Sequence, residues 1–174
     1  MIMHHQLGPL ELIAGEWIVG DPAGRQGKYL KLQGQGVSYW VGGTETEVIP
    51  WSRFINLDLS VQSSRLGNSK ALAKVTDIAL TLTGSSRRGG GEAYLAATLR
   101  HPYEDWSAHF THAARKYDKR EVRLAEEFFK QVVESGRAAR LGDPQWVAAM
   151  VEKIANLPHD SRNAKAAVGE IVRS

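Results

Sequence analysis

The sequence contains no cysteine. That single absence excludes disulfides, thiolate zinc sites, iron–sulfur ligation and thiol nucleophiles together. It also lacks a long uninterrupted apolar run. The amino-terminal stretch MIMHHQLGPLELIAGEW has no basic segment ahead of it and carries Glu11 and Glu16 inside its apolar part, so it reads neither as a signal peptide nor as a membrane span. Cytoplasmic residence is the default expectation. Nor is there an excess of one charge: 22 basic residues against 19 acidic ones leave a net +3, which neither requires nor excludes a nucleic-acid partner. Gly-x-Ser-x-Gly and His-Glu-x-x-His motifs are missing, and Gly89-Gly90-Gly91 lacks the Gly-Lys-Ser/Thr ending and following helix of a phosphate-cradling loop.

What is present predicts a folded chain. With 43% apolar and 24% charged residues over 174 positions, the composition suits one domain with an appendage. Residues 8–20 are apolar and β-prone and end at Asp21-Pro22-Ala23-Gly24, so they read as a first strand and a loop. Lys28 to Leu32 and Val37 to Val41 alternate, and Gly42-Gly43 can adopt the positive φ angles of a tight hairpin. In the long run from Glu45 to Val61, the residues Ile55, Leu57, Leu59 and Val61 fall on one face, and Pro50 calls for an edge position or a bend. Residues 63–76 are ambiguous, 78–83 read as a fifth strand, 93–99 as a sixth and 105–114 as a seventh. Seven short strands joined by turns predict a sandwich or small barrel.

The period then changes. Val122, Ala125, Phe129, Val132 and Val133 recur at helical spacing behind an Asp118/Glu121 capping box, which predicts a helix over 119–136. Asp143-Pro144 restarts the pattern, and Trp146, Val147, Met150, Val151, Ile154 and Leu157 mark a second amphipathic helix over 144–157. Residues 158–174 read as a polar tail with a frayed turn or two, and residues 1–7 as a flexible terminus.

The pair His109 and His112 invites a metal reading. Three apart on a helix, two imidazoles meet on one side; on a strand they point to opposite faces, so ordinary structural histidines are the expectation and no metal site is assigned. His101, Tyr103, Glu104 and Asp105 cluster in a loop, as polar residues commonly do, and no catalytic residue or cofactor is assigned. The basic residues Arg25, Lys28, Lys31, Arg87 and Arg88 lie in or beside two inter-strand loops that could converge into an anion-binding rim, for an anionic lipid or phosphate. The helix sequence RKYDKREVRLAEE mixes both signs, which suits water better than a polyanion, so nucleic acid is not the expected partner.

Seven strands followed by one amphipathic helix, with VIPWSRFINLDL in the fourth-strand region, resembles the pleckstrin-homology (PH) superfold and its bacterial PH-like modules over residues 8–137. The resemblance implies an α+β fold, mostly β: a bent sandwich or barrel capped by the 119–136 helix, with Phe128, Phe129, Val132 and Val133 plugging one open end. Phosphoinositide-binding members place a lysine late in the first strand, where this chain offers Glu16 and Trp17; only Lys28 and Lys31 match the second-strand basic positions.

Two functions fit these readings. The first is a non-catalytic interaction module that binds a protein or a second copy through an exposed edge, a loop rim, or the 144–157 helix with Trp146, Met150 and Ile154. The second is a small-molecule or lipid-binding barrel, enzymatic or not, with Trp17, Trp40 or Trp106 lining a pocket.

Overall fold

The computed structural model describes residues 4–22, 27–61, 93–111, 118–158 and 163–174. Its strands are β1 (Gln6–Leu7), β2 (Leu10–Ile13), β3 (Glu16–Gly20), β4 (Lys28–Leu32), β5 (Gly36–Val41), β6 (Thr44–Pro50), β7 (Asp58–Val61), β8 (Ala93–Leu99) and β9 (Glu104–Phe110). Helices α1 (Lys119–Glu134), α2 (Pro144–Ala155) and α3 (Ala164–Arg173) follow. Strands β1 to β6 form one antiparallel meander in chain order, and β7, β8 and β9 form a second, three-stranded sheet. The chain is therefore α+β, with two separate ladders and no closed barrel among the described residues.

Alternation built these sheets. On the inner face of the meander lie Leu10, Trp17, Val19, Leu30, Leu32, Val37 and Ile49; on that of the second sheet lie Leu59, Leu95, Leu99, Ala108 and Phe110. Leu124, Ala125, Phe128, Phe129, Val132 and Val133 of α1 complete the same cluster. Each large side chain so buried contributes roughly 1.5–3 kcal/mol.

Several boundaries differ from the sequence reading. Residues 8–20 are not one strand: Ala14 and Gly15, at φ 51° and 82°, reverse the chain between β2 and β3. The amino terminus is anchored from Gln6 onward, since β1 pairs with β2 and Leu7 is buried. Gly42 and Gly43 adopt φ 58° and 81°, as a tight hairpin between β5 and β6 requires. Pro50 ends the edge strand β6, and a 3-10 turn at Trp51–Arg53 makes the bend. That turn and the bend after it place Ile55 in solvent while Leu57 and Leu59 stay buried. The expected fifth strand at 78–83 lies outside the described residues.

The helices are pinned at their ends. The carboxylate of Asp118 accepts from the Arg120 N–H and that of Asp143 from the N–H groups of Gln145 and Trp146, so both aspartates act as N-caps, while among the described residues no return bond from Glu121 completes the expected capping box. The buried Trp17 indole donates to the Pro144 carbonyl at 3.0 Å, and Trp146 stacks on Phe128. Residues 164–173, read as tail, are a helix capped by Asn163 with Val168 and Val172 buried. Two arginines bracket the layer: Arg120 donates to the Leu157 carbonyl beyond α2, and Arg137 to the Val172 carbonyl of α3.

Candidate functional site: the β8–β9 hairpin end

Strands β8 and β9 are joined by a turn through Arg100, His101, Pro102 and Tyr103, with a cis His101–Pro102 peptide and His101 at φ 59°. The segment after the 3-10 turn runs alongside. Phe54 bridges Leu99, the Ile55 N–H donates to the Thr98 carbonyl, and the Arg100 N–H donates to the Arg53 carbonyl. The Arg53 side chain binds the hairpin itself. Its Nε donates to the Arg100 carbonyl at 3.0 Å, and its Nη2 donates to the Pro102 carbonyl at 3.2 Å and to Glu104 Oε1 at 2.7 Å. One guanidinium thus fixes the turn's path through three acceptors, a use for which its planar fork is suited.

On this fixed backbone stand exposed apolar groups. Tyr103 is 77% exposed and Ile55 39%, and they are the exposed large hydrophobic residues among the described residues. His101 lies against the Tyr103 ring at 6.5 Å. Beside the hairpin turn is a recess of about 210 Å³ lined by Trp51, Ser52, Phe54, Arg100, Val133, Gly136, Ala138 and Ala139. Arg100 Nη2 donates to the Phe54 carbonyl at 3.0 Å, and no carboxylate pairs with Arg100 among the described residues.

The sequence-predicted residues fall elsewhere. Lys28 and Lys31, three apart on β4, point to opposite faces. Lys31 Nζ is held by Glu16 at 3.0 Å and lies 4.4 Å above the Trp40 ring, so its charge is already partnered. Arg25, Arg87 and Arg88 lie outside the described residues, and the two described lysines do not form a shared rim. Met150 and Ile154 are buried in the chain's own core, and Trp146 packs on Phe128, so this apolar stripe serves α2's attachment to its own domain. Trp17, Trp40 and Trp106 do not converge on a pocket: Trp17 is buried beneath α2, Trp40 stacks on Tyr29, and Trp106 sits edge-on to Phe54 while donating to Glu47. His109 contacts the Tyr94 ring, and His112 lies outside the described residues.

Two other features are less suited to binding. A second recess of about 330 Å³, between Gly15, Glu16, Gln33, Gly34, Gln35 and Gly142, is walled by turn backbone, and its one ionisable group, Glu16, is the partner of Lys31. Edge strand β6 exposes Glu45 and Glu47 and ends in Pro50, residues that discourage strand addition.

Sequence reasoning gives Arg53, Arg100 and Trp51 no role in a site and places Ile55 on one face with Leu57 and Leu59. Ile55 carried the parity of a buried face, and the arginines had no partner visible in the chain order. In the sequence Tyr103 reads only as part of a polar turn; the signal it does carry is that of an aromatic at a hairpin tip with no apolar neighbour two residues away. No protein-family profile, curated protein or solved structure matches the chain.

Proposed function

We propose that this protein is a non-catalytic interaction module of PH-like type that binds a protein partner at its β8–β9 end. The observation carrying the reading is the coincidence of Tyr103 and Ile55, exposed, with a turn braced by three Arg53 hydrogen bonds. Aromatic and arginine side chains dominate binding energy at protein interfaces, and a preformed backbone reduces the ordering cost of association. The order of strands followed by helix, with Phe128, Phe129, Val132 and Val133 buried against the sheets, supports the PH-like assignment. A small-molecule or anionic-headgroup barrel draws less support. The recesses of about 210 and 330 Å³ fall below or at the lower end of the roughly 300–1,000 Å³ typical of such sites, and Lys31 is occupied.

Site-specific photocrosslinking tests the reading. A photoreactive phenylalanine at Tyr103 should give one discrete adduct in the cells that make the protein, whereas the same group at exposed Lys153 on α2 should not. The adduct should weaken severalfold when Ile55→Ser is added. Equal, diffuse labelling from both positions would defeat the proposal, and an adduct at twice the chain mass would identify the partner as a second copy.

A further inference from the structure

The recess beside the hairpin turn has a chemical character of its own. Its lining is largely apolar, with Trp51, Phe54, Val133, Ala138 and Ala139, and Arg100 is the one charged side chain in it. Trp51 and Phe54 are buried, with their rings 5.8 Å apart. Trp51 is held from behind, because its Nε1 donates to the Gln33 carbonyl at 2.7 Å. Gly136, at φ 75°, turns the chain out of α1, and Ala138 and Ala139 after it line the recess with small side chains.

Arg100 is the distinctive residue of that lining. Its neighbour Arg53 is neutralised by Glu104 at 2.7 Å, whereas Arg100 spends one N–H on the Phe54 carbonyl and has no acidic partner among the described residues. A guanidinium presents five donors, so the others remain available to an incoming acceptor. A largely apolar lining with one cation in it is complementary to an apolar side chain carried next to a carboxylate. The volume, about 210 Å³, suits one large side chain and is too small for a whole metabolite of ordinary size.

We infer that this recess receives, from the protein partner proposed above, a single large apolar side chain adjacent to a carboxylate, which pairs with Arg100. The inference rests on the docking reading and names the partner's chemistry: Tyr103 and Ile55 supply the broad contact, and the recess with Arg100 selects the acidic–apolar segment.

The minimal mimic of that segment is 3-phenylpropionate, an aryl group two carbons from a carboxylate. Titrated into the full isotope-labelled chain, it should saturate and shift the Trp51 indole N–H together with the amides of Arg100, Gly136 and Ala138. The neutral 3-phenylpropionamide should bind about tenfold more weakly, the loss of one partly exposed charge-assisted hydrogen bond. Arg100→Gln should reproduce that loss and Arg100→Lys should retain part of the affinity. Ala139→Leu, which fills the recess and leaves Arg100 in place, should abolish binding while the spectrum stays folded. The inference is overturned by a non-saturating response, by shifts centred elsewhere, by equal affinity for acid and amide, or by inorganic phosphate matching the aryl acid. It is equally overturned if the recess signals move on dilution of the protein alone, since the occupant is then a second copy. In each of these cases a Tyr103 crosslink to a protein would still stand, so the two readings fail separately.

Discussion

At the scale of single residues, close approaches and partial burial set the sharpest expectations. Gly142 closes the second 3-10 turn, Ala138–Gly142, against the β4–β5 turn. A Cβ there would stand 2.6 Å from the Gln33 carbonyl oxygen and 2.8 Å from the Gly34 Cα, both backbone. Neither can swing away. Gly142→Ala should therefore cost about 1–3 kcal/mol, read as a lowered urea midpoint, with the Trp51 indole signal displaced because its Nε1 also lies within 2.9 Å. Glu126 on α1 gives a pH signature. Partial burial, and then the charges of Glu127 and Asp58, hold its carboxyl above the ordinary glutamate range, with Arg123 offsetting a part. Below the ordinary value both folded and unfolded chains carry the proton and nothing is lost. Between the ordinary and the raised value the folded chain binds more protons, so stability falls as pH rises and the full penalty is present above it. Glu126→Gln should accordingly raise the thermal midpoint at neutral pH, and its advantage should vanish in strongly acidic buffer. An advantage unchanged by pH would contradict this assignment.

At the scale of elements, α3 shows what packing adds to local preference. A ten-residue segment is too short to be a stable helix in isolation, and AKAAVGEIV carries only a modest apolar stripe. It folds because Val168 and Val172 bury against α1 and because Arg137 supplies donors to its last carbonyls. Val168→Ala with Val172→Ala should cost about 3–5 kcal/mol, with loss of helical circular dichroism preceding loss of the β signal. Helices α1 and α2 were legible because caps and apolar period agree over long stretches, and β4, β5 and β8 because alternation ends at glycines or at a turn. Ile55 and the β2–β3 break were not. Their positions depend on a 3-10 turn and on a non-glycine residue at positive φ, neither of which alternation encodes. The hairpin site was illegible for a related reason: Arg53 and Arg100 are 47 positions apart, and only strand pairing brings them together.

At the scale of the whole molecule, the two sheets are joined largely through β9. The Tyr39 hydroxyl donates to the His109 carbonyl at 2.7 Å, the Trp106 indole donates to Glu47 at 3.0 Å, and the Thr111 N–H donates to the Lys28 carbonyl at 2.9 Å. Among the described helices none is long and apolar enough to cross a membrane. Burial, and the nearby Glu47, hold the Tyr39 hydroxyl above its ordinary pKa, so the folded state keeps it protonated as a donor. That contribution is complete below the ordinary tyrosine value and declines as alkaline pH approaches the raised one. Tyr39→Phe should cost about 1 kcal/mol at neutral pH, and the difference from the parent protein should shrink at high pH.

The Arg53 brace has a kinetic corollary. If the β8–β9 end docks a partner as proposed, a turn already fixed by three acceptors meets that partner in its competent shape, so nearly every collision of the right orientation would count. Arg53→Ala would divide the free protein among several turn shapes, and only the competent fraction could be captured. Measured by stopped flow with the crosslinked partner, the variant should lose speed of capture in proportion to that fraction, while the lifetime of the assembled pair changes little.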